Sequence, residues 1–122
     1  MKNYTVLIVE DSIVVSKFLT AAFKNAGFRV KTASDGFEAL EKSIKDDINL
    51  VVTDLNMPQM DGITLLKNLK ENEDTKKIPV ILMSSNMPDK NEIYGSFAFF
   101  SKPFKESDMI EAAKKAVKDI YG

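Results

Sequence analysis

Apolar residues fall along this chain in two alternating rhythms. Thr5-Val6-Leu7-Ile8-Val9, Leu50-Val51-Val52-Thr53 and Ile78-Pro79-Val80-Ile81-Leu82-Met83 are short unbroken runs bounded by polar or turn residues. Such runs predict strands buried on both faces. Pro79 belongs at the start of its strand, because an interior proline removes a ladder hydrogen bond. Phe28 to Ala33 alternates and predicts a strand with a more exposed face; Phe97-Ala98-Phe99-Phe100 predicts a fifth strand.

Between these runs the period lengthens toward 3.6 residues. Val15, Phe18, Leu19, Ala22 and Ala26 make one stripe behind a Ser12 cap, and Gly27 closes that helix. Ser34 or Asp35 starts a second helix, Gly36 to about Ile44, with Phe37, Leu40 and Ile44 inward. Ile63 to about Glu71 predicts a third, with Leu65, Leu66 and Leu69 inward. Met109, Ile110, Ala113, Ala116, Val117 and Ile120 mark the last helix. The stretch from Asn86 to Gly95 breaks the rhythm: Met87-Pro88 interrupts it, and only Asp89 to Tyr94 has room for a short helix.

Five strands alternating with helices predict an α/β fold, a doubly wound five-stranded parallel sheet with helices on both faces. The 122 residues suit a single domain over 1–122 with no appended output domain. Seventeen basic residues against 18 acidic leave a net charge of -1, which offers no electrostatic grip on nucleic acid or anionic lipid. No apolar run approaches the ~20 residues of a membrane-spanning helix, and Met1-Lys2-Asn3-Tyr4 carries no signal-peptide pattern. A cytoplasmic protein is expected. The chain has neither cysteine nor histidine, which excludes disulfides, thiolate chemistry, a histidine-ligated zinc site and a Ser-His-Asp triad.

The residues that end the strands carry the chemistry. Glu10-Asp11 follow the first run, Asp54 the third, Ser84 the fourth and Lys102 the fifth. A parallel sheet brings strand ends of one sense to one edge, where ligands of such sheets bind. Each residue alone has an ordinary account. Asp54 could merely end a strand, Glu10-Asp11 could favour the positive end of a helix, Ser84 could cap one, and Lys102 could be a surface charge. Together they form a cluster of carboxylates that needs a cation, since two carboxylates ~4 Å apart repel by about 4 kcal/mol at an effective dielectric near 20. All-oxygen ligands suit Mg²⁺ or Mn²⁺, and Mg²⁺ commonly shares a phosphate with one or two carboxylates. The pattern points to phosphoryl chemistry.

With Glu10-Asp11, Asp54 inside Asp54-Leu55-Asn56-Met57-Pro58-Gln59-Met60-Asp61-Gly62, Ser84-Ser85 and Lys102-Pro103-Phe104, the chain resembles a response-regulator receiver domain. It is most similar to the stand-alone chemotaxis kind. The resemblance implies the flavodoxin-like strand order 2-1-3-4-5. It implies that Asp54 accepts a phosphoryl group from a phosphohistidine on a sensor histidine kinase or phosphotransfer protein. Glu10, Asp11, Asp54 and the Asn56 backbone carbonyl would hold Mg²⁺. Lys102 would stabilise charge on the phosphoryl oxygens, and Lys102-Pro103 would be a cis peptide. Ser84 and Phe99 would form the switch: the hydroxyl moves toward phosphate and the ring follows. Phe99 also fits a plain core position.

The chain departs from the pattern between Ser84 and Lys102, where relatives carry about one helical turn more. The missing residues come from the fourth helix, so that helix is expected to be short or poorly ordered. Phe97 and Phe99 would share one face of an edge strand. Either the shortened helix leaves them exposed as part of an interface, or Asp89–Tyr94 tucks Ile93 and Tyr94 over them. A downstream protein target would use the face of the fourth helix, fifth strand and last helix. Rival functions differ in identifiable residues. A receiver-like scaffold lacks the acidic pair, the acceptor or the lysine; a phosphate sink or phosphorelay carrier keeps them all. An aspartyl-phosphate phosphatase carries Asp-x-Asp, whereas this chain has Asp54-Leu55-Asn56. A flavin-binding protein needs a phosphate loop that Asp11-Ser12-Ile13-Val14-Val15 does not supply.

Overall fold

A computed structural model describes residues 3–122. The elements are β1 (Thr5–Val9), α1 (Ile13–Asn25), β2 (Arg29–Ala33), α2 (Gly36–Lys45), β3 (Leu50–Asp54), α3 (Gly62–Glu71), β4 (Val80–Ser84), β5 (Ala98–Ser101) and α4 (Glu106–Tyr121). Every strand pairing is parallel, and the sheet order is β2-β1-β3-β4-β5, as the resemblance implies. β1, β3 and β4 are buried at every position, as their unbroken apolar runs predict. The edge strand β2 is mostly exposed and the edge strand β5 only partly covered. Pro79 lies just before β4.

One core forms where α2 and α3 cover one face of the sheet, with Leu7, Val51, Leu66, Leu69 and Leu82 at its centre. The other forms under α1 and α4 and holds Ile8, Phe23, Val52, Ile81 and Met109. Ser12 caps α1 by accepting from the Val15 N–H at 3.3 Å. Gly27, at φ +96°, supplies the left-handed residue that turns the chain into β2. Asp35 caps α2 by accepting from the Glu38 N–H at 2.8 Å, while the Glu38 carboxylate accepts from the Ser34 N–H at 2.8 Å. This reciprocal pair satisfies donors that a bare helix start leaves open.

Several inward assignments change. On α1 the buried residues are Leu19, Ala22 and Phe23, and Phe18 is half exposed. Phe23 takes the central place because Phe28 meets it edge-on at 5.2 Å. On α2, Phe37 and Ile44 face solvent while Gly36, Ala39 and Ser43 are buried, with Leu40 packed beside them. The cause is close approach: a Cβ on Gly36 would lie 2.6 Å from Cβ of Met60. Only a row of small residues fits there, so the large ones turn outward. On α4, Ile120 is exposed and Tyr121 does the anchoring. The Tyr121 ring stacks on Tyr4 at 5.5 Å, and its hydroxyl donates to the Asn49 carbonyl at 2.8 Å.

The segment between β4 and β5 holds no α-helix, so the expected shortening runs to completion. Two isolated turns replace it, closed by Glu92 N–H to Asp89 carbonyl and Ser96 N–H to Ile93 carbonyl, both at 3.0 Å. Ile93 packs on the core beside Phe99, whereas Tyr94 is 88% exposed and does not cover the strand. Phe97 and Phe99 do not share a face either: Phe97 packs with the α1–α4 core and Phe99 with the α2–α3 core. Phe97 sits in the bend before β5, where strand alternation has not begun. Among the described residues, no helix is long and apolar enough to cross a membrane.

Candidate functional site

Register carries the strand ends to one edge. Val9 pairs with Thr53, Asp54 with Met83, and Ser84 with Ser101. Glu10, Asp54, Ser84 and Lys102 therefore meet beside the point where the strand order reverses between β1 and β3, the ligand-binding place in such sheets. Asp54 is 6% exposed, Glu10 4% and Ser84 2%. Burial of two carboxylates and a hydroxyl at a sheet edge demands partners.

The principal partner is Lys102. Its ammonium lies 2.5 Å from Asp54 Oδ2 and 3.0 Å from Glu10 Oε1. Burial pushes the lysine pKa down, but the bonds to Asp54 and Glu10 outweigh burial and hold it above its usual value. Burial raises the Glu10 carboxyl above its ordinary range; the Lys102 bond opposes this and the nearby Asp54 charge adds to it. The Lys102-Pro103 peptide bond is cis, as expected. Asp54 Oδ1 accepts the Asn56 N–H at 2.9 Å, and Glu10 Oε2 accepts the Ser12 N–H at 3.4 Å.

Asp11 and Asn56 lie exposed at the rim. Among the described residues no three acidic side chains are drawn together as a ready metal cage; the cation that Glu10 and Asp54 share is the Lys102 ammonium. The donor set nonetheless fits a hard divalent cation. Two buried carboxylates share one positive charge, a third carboxylate stands at the rim, and every potential ligand is oxygen. Phe99 is partly buried and packed on the α2–α3 core.

The loop from Leu55 to Asp61 holds the end of β3 in place. The Gly62 N–H donates to the Leu55 carbonyl at 3.0 Å, and a Cβ on Gly62 would collide with the Asp54 carbonyl oxygen. Two contacts at this site have no expectation behind them. The Asn56 carboxamide Nδ2 donates to Ser84 Oγ at 3.3 Å, and the Asn86 N–H donates to the same oxygen at 3.1 Å. Asn56 and Asn86 each stand two residues beyond a strand-end site residue. That common offset is the sequence signal that could have found them.

A family model described as the response regulator receiver domain matches residues 6–114. A chemotaxis protein CheY-3 of Vibrio cholerae is 34% identical over 119 residues, covering 93% of this chain and 92% of the relative. A probable transcriptional regulator ycf29 of Pyropia yezoensis is 33% identical over 112 residues, covering 88% of this chain; this chain spans about half that relative's length, 50%. The solved structure of the chemotaxis response regulator CheY4 of Vibrio cholerae superposes with a TM-score of 0.86 at 28% identity, covering 94% of this chain and 99% of that one.

Proposed function

This chain belongs to the response-regulator receiver family of two-component systems, and on that premise we propose that Asp54 is its phosphoacceptor and that phosphate on Asp54 changes what the domain binds. The observation that carries this reading is the Asp54 carboxylate itself. It is buried at the end of β3, tied to an ammonium on one oxygen and a backbone N–H on the other.

The donor is a phosphohistidine on a sensor kinase or phosphotransfer protein, since this chain has no histidine of its own. An Asp54 carboxylate oxygen forms the new bond to phosphorus while the phosphorus–nitrogen bond to the donor imidazole breaks, and the electron pair leaves with the imidazole. Lys102 exchanges its carboxylate contacts for a phosphoryl oxygen and stabilises the charge there. Ser84 Oγ already accepts two hydrogen bonds, so its O–H is free to donate one to a phosphoryl oxygen. Asp11, Asp54 and the Asn56 backbone carbonyl, with Glu10 behind them, would hold Mg²⁺ or Mn²⁺. Bound there, the ion supplies positive charge to the transferring phosphoryl oxygens. Phe99 repacks when Ser84 moves, and the change reaches a downstream protein through the 86–97 segment, β5 and α4.

Incubation with Mg²⁺ and a small-molecule phosphodonor, followed by intact mass measurement, tests the assignment. The protein is expected to gain one phosphoryl group and Asp54→Asn none. An equal stable gain in Asp54→Asn would remove Asp54 from the role.

A further inference from the structure

We propose that the Asn56 carboxamide is a positioning residue, a latch that holds Ser84 in its resting place and ties that place to the state of Asp54; the proposal rests on the reading of Asp54 as phosphoacceptor. Asn56 has two ends that reach two different site residues. Its backbone N–H donates to Asp54 Oδ1 at 2.9 Å, and its side-chain Nδ2 donates to Ser84 Oγ at 3.3 Å. No other hydrogen bond from a side chain joins the β3 end to the β4 end among the described residues.

The two ends differ in strength, and the difference gives the latch its direction. The backbone bond runs to a carboxylate and is charge-assisted, so it fixes the 55–56 loop while Asp54 is ionised. The side-chain bond joins two neutral groups at the long end of the hydrogen-bond range, so it gives way first. Conversion of Asp54 to an acyl phosphate removes the carboxylate charge that the Asn56 N–H reads. The loop hold on Asn56 then weakens at the moment a phosphoryl oxygen begins to accept from the Ser84 O–H and draws the hydroxyl away from the carboxamide that donates to its oxygen. Ser84 leaves the carboxamide, and Asn86, whose N–H also donates to Ser84 Oγ at 3.1 Å, carries the movement into the 86–97 segment. The resting conformer alone keeps the Asn56–Ser84 bond, so its loss favours the switched conformer by up to about fivefold, the usual net worth of one neutral hydrogen bond.

The obvious variant is Asn56→Ala, which retains every backbone group and removes only the carboxamide. The probe is Mg²⁺ with beryllium fluoride, a mimic of the acyl phosphate, titrated calorimetrically into wild type, Asn56→Ala, Ser84→Ala and the double variant. A merely structural or metal-related effect of Asn56 would act equally in both Ser84 backgrounds; a latch acts only where the hydroxyl is present. The expected result is probe binding three- to fivefold tighter for Asn56→Ala than for wild type, with no difference between Ser84→Ala and the double variant. Hydrogen exchange in the unliganded proteins supplies a second readout, with amides 85–97 exchanging faster in Asn56→Ala and unchanged by it in the Ser84→Ala background. Equal or weaker probe binding in Asn56→Ala, or the same shift in both backgrounds, overturns the latch while leaving Asp54 as acceptor. Absence of probe binding in wild type overturns the acceptor assignment and the latch with it.

Discussion

Replacing Lys102 with methionine should cost the fold about 2 kcal/mol near neutral pH with a chelator present. The ammonium contacts of 2.5 Å and 3.0 Å put Asp54 Oδ2 and Glu10 Oε1 at most 5.5 Å apart. Two unit charges at that separation repel by about 3 kcal/mol at an effective dielectric near 20. Methionine keeps most of the apolar stem and removes the charge between them. Water reaches the Lys102 side chain, which is 23% exposed, and screens part of the repulsion, leaving about 2 kcal/mol. In a chain of this length 1 kcal/mol moves the melting temperature by about 4 °C, so the variant should melt about 8 °C lower. The pH dependence has a fixed sign. Burial already raises the Glu10 carboxyl, and loss of the opposing Lys102 bond raises it further. A carboxyl with a raised folded-state pKa destabilises the fold as pH rises above the unfolded value of about 4.3. The deficit of the variant is therefore largest near neutrality and shrinks toward about pH 5. Millimolar Mg²⁺ in place of chelator should restore part of it, because a divalent ion replaces the lost charge. Thermal melts by circular dichroism under these conditions give the readout. A variant melting within about 2 °C of wild type near pH 7, or a deficit that widens on acidification, would refute the reasoning.

Gly62→Ala places a Cβ against the Asp54 carbonyl oxygen and 2.9 Å from Leu55 Cα, both backbone atoms that cannot swing away; it should lose about 2 kcal/mol in urea unfolding, and an unchanged midpoint would contradict the packing. Ser43→Ala should gain about 1 kcal/mol in the same assay, because the buried Ser43 hydroxyl has no hydrogen-bond partner among the described residues and alanine is the better helix former; a loss of stability would show an unrecognised partner. Glu38 is held below the ordinary carboxylate range first by the Ser34 N–H and then by Lys42. Its contribution is present above the unfolded pKa and lost as pH falls through the lower folded one. Acid titration should accordingly find wild type more stable than Glu38→Gln at neutral pH, with the gap closing under acid; a gap independent of pH would assign the effect to packing.

How much of this was legible depends on whether the signal was local. The five strands and the helices on both faces follow from runs whose periodicity is set within a few residues; the strands and the first three helices appear within one or two residues of their expected limits, and the last helix begins at Glu106, three residues before its first apolar marker Met109. The convergence of Glu10, Asp54, Ser84 and Lys102 was legible too, since parallel topology alone brings strand ends together. The failures are non-local. Phe37 reads as an inward residue on α2 until Gly36 meets Met60, a contact between residues 24 positions apart. Phe18 reads as core until Phe28 claims Phe23. The Asn56–Ser84 bond spans 28 residues; the two-residue offset of Asn56 from the β3 end marks the residue, but its partner is set only when the fold brings the β3 and β4 ends together.

The β4–β5 connection shows the same limit at the level of a whole element. Pro88 biases Met87 toward extended backbone, and Gly95 at φ +93° ends any helix before β5. The remaining six or so residues lie far below the ~12–15 at which an isolated helix persists in water. Only Ile93 reaches the core, so packing cannot supply what propensity lacks. Besides Ile93, two hydrogen bonds tie the segment to its surroundings: to Ser84 through the Asn86 N–H at 3.1 Å, and to the sheet through the Phe97 N–H to the Val80 carbonyl at 2.7 Å. In a full-length fourth helix, a movement of Ser84 would have to displace a rigid, multiply anchored body. Here it would act on one hydrogen bond at the start of a chain of exposed turns, with Met87 and Tyr94 already in solvent. The free energy needed to rearrange the segment is correspondingly small, so on the proposed reading of Asp54 as phosphoacceptor a single phosphoryl group would be enough to bias it.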